Sequence, residues 1–135
     1  MNSYLIDTNI FLEFLLDQER ADEAETLLME LEEGRIKAFI TTFTLHSIEV
    51  ILFSSNQIDL LISFLEQLTI FKGLTIYPTN LEEEKEVAEL IRKLNLDFDD
   101  SLHYYVAKKL GLQLVSFDKH FDKVDISRKE PKDIV

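Results

Sequence analysis

The chain has 135 residues, 46% of them apolar, a formal net charge of −12 and no cysteine. That length and apolar content describe one folded domain, residues 1–135, and exclude a disordered chain. Without cysteine there is no disulfide framework, thiolate metal site or cysteine nucleophile, and so acidic a surface repels nucleic acid at long range, against a general nucleic-acid-binding module.

In chain order, Tyr4, Leu5 and Ile6 favour a strand and run straight into Asp7-Thr8-Asn9, three helix N-cap types, before helical spacing begins at Ile10. A buried first strand thus delivers Asp7 to its carboxyl end, the edge of an α/β sheet where ligands bind, although Asp7 as a plain helix cap is the simpler alternative. Ile10, Phe11, Phe14 and Leu15 make a short helix. Ala21 to Glu32 makes a second, stopped by Gly34, and Ile36 to Thr42 reads as a strand.

The helix from about Phe43 to Phe53 holds an anomaly. At 100° per residue Leu45, Leu52 and Phe53 share one face, and Glu49 falls among them. A glutamate on an apolar face is costly unless it is paired or ligates a metal, so we read Glu49 as functional rather than as an exposed acid on a helix apolar all round. Asn56 marks a helix boundary. Ile58 to Phe71 is again strongly apolar, and the surplus around Val50 to Phe71 points to a subunit interface, expected to be a homodimer.

Leu74 to Tyr77 is a short strand ended by Pro78. Thr79 or Asn80 caps a helix to about Leu94, whose Glu82, Glu83 and Glu84 read as a solvated first turn. Asp97, Asp99 and Asp100 then crowd the start of a helix running to Leu110, more acid than capping needs. Leu112 to Ser116 is a buried strand that empties into Asp118, repeating the opening pattern, and the tail from Val124 supplies a short last strand before Pro131.

Residues 1–100 carry 21 acids against 7 Lys and Arg and residues 101–135 carry 5 against 7, so Lys119, Lys123, Arg128 and Lys129 make the least acidic part of the chain, ordinary solvated surface unless an anionic ligand lies beside them. No apolar run is long enough to cross a bilayer and no basic leader is visible; the expected compartment is the cytoplasm.

Strands alternating with helix pairs imply an α/β fold, a mainly parallel sheet covered on both faces. In such a sheet Asp7, Glu49, Asp100 (or its neighbour Asp99) and Asp118 can converge on one edge. Carboxylates about 5 Å apart repel by about 3 kcal/mol per pair at an effective dielectric of 20, so the cluster needs protons or cations. All-oxygen ligands suit Mg²⁺ or Mn²⁺; zinc would recruit histidine or cysteine, and His46, His103 and His120 lack metal-ligand spacing. Of the three, His103, one helical turn past Asp100, is the one expected near the site.

These residues resemble the PIN domains, metal-dependent nucleases that include the VapC-type toxin ribonucleases of prokaryotic toxin–antitoxin pairs. The resemblance rests on Tyr4-Leu5-Ile6-Asp7-Thr8-Asn9-Ile10, on the helical acid Glu49, on Asp100-Ser101-Leu102 with Ala107 and Gly111, and on Leu114-Val115-Ser116-Phe117-Asp118-Lys119-His120-Phe121. It covers nearly the whole chain, and the doublet Asp99-Asp100 leaves two candidates for the third acid, of which Asp100 is preferred. It implies a three-layer α/β/α sandwich with a five-stranded, mainly parallel sheet, hydrolysis of RNA, Asp7, Glu49, Asp100 and Asp118 as ligands of Mg²⁺ or Mn²⁺, Asn9 and Ser116 as supports, and an antitoxin partner.

Two other classes compete. A receiver-like phosphoacceptor domain would want an aspartate after the middle strand, where Tyr77-Pro78 stands. A non-catalytic acidic binding module would keep the acids but show no cleavage in Mg²⁺ that EDTA abolishes.

Overall fold

In the computed structural model, which describes residues 3–135, the first strand lies at the centre of the sheet. The elements are β1 (Tyr4–Ile6), α1 (Thr8–Leu15), α2 (Ala21–Glu33), β2 (Ala38–Thr41), α3 (Thr42–Ser54), α4 (Ile58–Leu68), β3 (Leu74–Tyr77), α5 (Leu81–Leu94), α6 (Phe98–Leu110), β4 (Gln113–Val115) and β5 (Arg128–Lys129), with 3₁₀ turns at Lys119–Lys123 and Pro131–Asp133. The five strands are all parallel, in the order β3-β2-β1-β4-β5. This is the alternating architecture that the helix and strand periods imply. It is not the 2-1-3-4-5 order of flavodoxin-like receiver folds, and β3 lies at an edge and delivers no acid.

Two cores flank the sheet. Ile6, Ile10, Phe11, Leu27, Leu31, Ile40, Ile48, Leu52 and Phe64 pack under α1 to α4 on one face. Leu5, Val87, Leu102, Val106, Leu114 and Phe121 pack under α5 and α6 on the other. Consecutive residues of β1 thus serve opposite layers, as the two-residue period of a strand requires.

The helix ends follow local chemistry. Gly34 and Gly111 close α2 and α6 in the left-handed conformation. Asn80 and Glu83 form a reciprocal capping box on α5. Glu83 is not the solvated acid the sequence suggests: it is buried, 2.7 Å from Lys109 Nζ, and accepts the hydroxyl of Tyr77. β1 and β3 have the expected bounds, β2 and β4 are shorter than the β-favouring runs Ile36 to Thr42 and Leu112 to Ser116, and α4 stops at Leu68, before the turn in which Lys72 N–H reaches back to the Glu32 carbonyl.

The register sets the site. Ile6 pairs with Val115, and Asp7 N–H donates to the Val115 carbonyl at 2.9 Å, so Asp7 and Ser116 leave adjacent strands side by side.

Of the three glycines, Gly73 has the tightest backbone neighbour: a Cβ there would stand 2.1 Å from the Ile36 carbonyl oxygen. Gly111, at φ +67°, has open space instead. Gly73→Ala should therefore cost about 3 kcal/mol or more through overpacking, and Gly111→Ala about 1 kcal/mol through backbone strain. Urea melts of the two variants check this; equal losses would mean that the strand start at Gly73 can shift freely.

Candidate active site

The acids that converge come from β1, the first turn of α6 and the turn after β4. Asp7 caps α1, its Oδ1 accepting from Thr8 N–H at 2.8 Å, so the capping role is real. It is not the whole role. Asp7 Oδ2 accepts the Ser116 hydroxyl at 2.6 Å and the Asn9 amide at 3.3 Å, and the residue is 4% exposed. Ser116 Oγ in turn accepts from Asp118 N–H at 2.9 Å, and Asn9 bonds both Ser116 Oγ and Phe117 N–H. Asn9 and Ser116 therefore act as struts between the two strand ends.

Asp100 lies in the first turn of α6, buried at 4% exposure. Asp118 begins the following 3₁₀ turn, its Oδ1 accepting from His120 N–H at 2.8 Å. Asp7, Asp99, Asp100 and Asp118 line one open cleft of about 440 Å³, with Thr8, Asn9, Leu12, Phe43, Ser47, Ile51 and Phe98. The aromatic rings of Phe43 and Phe98, 6.0 Å apart, form one wall.

Glu49 does not join this group. The α3 residues at the cleft are Phe43, Ser47 and Ile51, four apart on one stripe. Glu49, two residues past Ser47, lies about 200° round the helix. The reason for the misplacement is that α3 is apolar on several faces. Ile48 and Leu52 are its buried stripe, whereas Phe53, taken as a face marker, is 68% exposed.

Histidine also departs from expectation. His120, which the spacing gave no role, stands with Nδ1 3.1 Å from Asp118 and 3.8 Å from Asp100. His103 is near the site as expected, but fully buried, 3.4 Å from Asp7. Proximity of His120 was legible from its place two residues after Asp118; the contact of His103 with Thr41 and Thr44, where β2 passes into α3, was not.

No lysine or arginine pairs with Asp7, Asp99, Asp100 or Asp118 among the described residues. Arg128, a candidate for an anionic ligand, is committed to Asp122 and Glu130, whereas Lys119 and Lys123 are exposed. The charge in the cleft is thus uncompensated. Burial, and then the negative Asp99, Asp118, Asp7 and Asp97, push the Asp100 carboxyl up to about 7.

Such a donor set fits a hard divalent cation. Asp100, Asp118 and His120 can each bring an atom within 4.8 Å of the others, and so can Asp97, Asp99 and Asp100. Carboxylate oxygens suit Mg²⁺ or Mn²⁺, and a nitrogen at the rim favours Mn²⁺ of the two.

The PIN domain family model matches residues 4–127. The chain belongs to the PIN domain family. No curated protein matches its sequence. Solved structures show the same fold. VapC20 of Mycobacterium tuberculosis, described as a sarcin-ricin loop cleaving toxin, superposes with a TM-score of 0.78 at 14% identity, covering 95% of this chain and 99% of that one. A toxin–antitoxin complex from Klebsiella pneumoniae gives 0.70 at 19% identity, over 95% and 97% of the two chains. VapBC2 from Rickettsia felis, bound to a promoter DNA fragment, gives 0.70 at 16% identity, over 95% and 98%.

A carboxyl that keeps its proton to about pH 7 when folded, but loses it near 3.8 when unfolded, leaves the folded state with more bound protons between those values. Without cations, this contribution makes stability fall as pH rises from about 4 to about 7, by a few kcal/mol at most, since one unit is about 1.4 kcal/mol. In EDTA, Asp100→Asn should melt close to wild type at pH 4 and above it at pH 8. A difference that does not grow with pH would show that Asp100 ionises without hindrance.

Proposed function

We propose that this chain is a Mg²⁺- or Mn²⁺-dependent endoribonuclease, the toxin component of a toxin–antitoxin pair. The observation that carries the reading is the meeting of Asp7, Asp100 and Asp118, from three separate elements, in a cleft without a compensating lysine or arginine. Membership of the PIN family and the likeness to VapC structures support the nuclease and toxin parts.

Asp7, Asp100 and Asp118 would hold the cation, with Asp99 and His120 at the rim. A bound divalent cation lowers the pKa of water and stabilises charge building on a phosphate during in-line attack. The chain's own residues prepare that chemistry. Ser116 and Asn9 fix Asp7 from behind, and the Asp118 turn is held by the Ser116 hydroxyl. The half-exposed Phe98 offers a face on which an unstacked base can lie. Lys119, exposed and next in sequence to Asp118, is available to meet the backbone phosphates. Among the described residues no lysine or arginine pairs with the cleft acids, so productive binding depends on the cation neutralising the cleft.

The partners follow from the surface. Val50, Phe53, Ile58 and Ile62 of α3 and α4 are 62%, 68%, 41% and 50% exposed. Two copies pair through these helices in this reading, and an antitoxin covers further surface. No described helix is long and apolar enough to cross a membrane, and we place the protein in the cytoplasm.

Cleavage of a labelled, structured RNA in Mg²⁺ or Mn²⁺ should stop in EDTA. Asp7→Asn, Asp100→Asn and Asp118→Asn should each lose about a hundredfold or more, beyond the 10–100-fold typical of outer-shell partners. Asp99→Asn should lose much less, and Glu49→Gln should keep nearly full activity. Cleavage untouched by EDTA and by the three aspartate changes would overturn the proposal; a dead Glu49→Gln that is folded would return Glu49 to the site. Light scattering at micromolar concentration should report a dimer that Phe53→Glu converts to monomer. A wild-type monomer would remove the α3/α4 interface.

A further inference from the structure

His103 is a fully buried polar side chain that the cation chemistry above leaves without a task. Its Nε2 lies 2.9 Å from Thr44 Oγ1 and 3.2 Å from Thr41 Oγ1. Its Nδ1 has no hydrogen-bond partner of good geometry, and the atom it meets is Asp7 Oδ1 at 3.4 Å. The ring is further fenced by Phe43, edge-on with centroids 6.4 Å apart.

The proton positions follow from counting donors. Thr41 Oγ1 already accepts Thr44 N–H, so its hydroxyl hydrogen is free to point at Nε2 or at Thr44. Thr44 Oγ1 has two close neighbours, His103 Nε2 and Thr8 Oγ1, the latter also at 2.9 Å. Both threonine hydroxyls can therefore supply a hydrogen to Nε2. On the other side stands a buried carboxylate, which only accepts. With the proton on Nε2, the lone pair of Nδ1 would face the lone pairs of Asp7 in a site closed to water, a costly arrangement. With the proton on Nδ1, the N–H faces an acceptor, Asp7 Oδ1 at 3.4 Å, and the Nε2 lone pair faces the threonine hydroxyls.

We propose that Thr41, the last residue of β2, and Thr44 of α3 hold His103 in the Nδ1–H tautomer, and that this N–H fixes Oδ1 of Asp7, which makes His103 a positioning residue for the cation-binding carboxylate. The cation part rests on the nuclease reading; the Asp7–His103 contact does not. Thr8 N–H and His103 then hold Oδ1, while Ser116 and Asn9 hold Oδ2. The carboxylate is gripped at both oxygens and can aim its remaining lone pairs in one direction. Metal-ligating groups commonly depend on such outer contacts, whose loss costs about 10–100-fold in metal affinity.

The test uses the free protein, with three readouts. Long-range ¹H–¹⁵N correlation spectra of ¹⁵N-labelled wild type should show His103 protonated at Nδ1 and unprotonated at Nε2; the opposite tautomer overturns the proposal. Calorimetric titration with Mn²⁺ should find His103→Leu about 10–100-fold weaker than wild type. His103→Asn places an amide N–H where Nδ1–H stood and should recover most of that affinity. Thermal melts should run the other way, because the smaller polar asparagine leaves a cavity that leucine fills. Affinity that follows the melting order, or that Leu leaves unchanged, makes His103 a core residue and no more. If His103→Leu does not fold, the tautomer and the asparagine variant decide: Nδ1–H with wild-type-like affinity supports the contact, and any other combination overturns it. A wild type that binds no Mn²⁺ removes the nuclease reading, while the tautomer still decides whether His103 donates to Asp7.

Discussion

Mutual repulsion among the carboxylates of Asp7, Asp100 and Asp118 is the constraint that the surrounding structure answers. Asp100 and Asp118 can bring carboxylate oxygens within 4.8 Å of each other, and at that separation and an effective dielectric of 20 two ionised carboxylates repel by about 3 kcal/mol. The reply consists largely of neutral donors and helix ends. Asp7 receives Thr8 N–H and the Ser116 hydroxyl, each a hydrogen bond to a charged group of about 1.5–3 kcal/mol. Asp7 and Asp100 both sit at helix N-termini, where the peptide dipoles favour negative charge. What these do not cover, Asp100 meets by keeping its proton to about pH 7.

Positive side chains stand close by, yet they are spent elsewhere. Arg20 lies 4.1 Å over the Phe117 ring and pairs with Glu130, which Arg128 also grips. Arg20 and Arg128 together hold the Glu130 carboxyl down at about 2. Arg128 also donates to the Ser116 carbonyl at 3.0 Å, so this ion network braces the back of the turn that carries Asp118. Placing the arginines behind the turn gives it rigidity while leaving the acids in front of it unneutralised. Had either arginine reached the cleft, it would have taken the place of a cation.

The fold was legible because its punctuation is local. Three β-favouring residues before Asp7, Gly34 and Gly111 after helices, and the cap candidates Thr79 and Asn80 at the start of α5 each fix a boundary within a few residues. The acids at strand ends were legible for the same reason: a strand that stops at a carboxylate leaves the side chain little choice of edge. Glu49 was not, because its position depends on the rotation of α3. That helix carries Phe43, Leu45, Ile48, Val50, Ile51, Leu52 and Phe53, so apolar residues give no unique phase. The buried threonines at 41 and 44 would have supplied it, since they mark the side that turns toward α6 and His103. Glu83 was misread because the partner that buries it, Lys109, lies 26 residues away on another helix.

The bond between Ser116 and Asp7 joins residues 109 apart, and that between Asn9 and Phe117 spans 108. These distances have a meaning in time as well as in space. A chain extended at about 5–20 residues per second carries Asp7 for roughly 5–20 s before Asp118 has been added. Throughout that interval β1 lacks β4, its neighbour on one side, and Asp7 has no Ser116 to meet. Of the hydrogen bonds the Asp7 carboxylate makes in the finished fold, those available all through that interval are local, the Thr8 N–H cap and the Asn9 amide. The carboxylate cluster comes into being late, as one long-range closure of high contact order, once β4 and the turn after it have been translated.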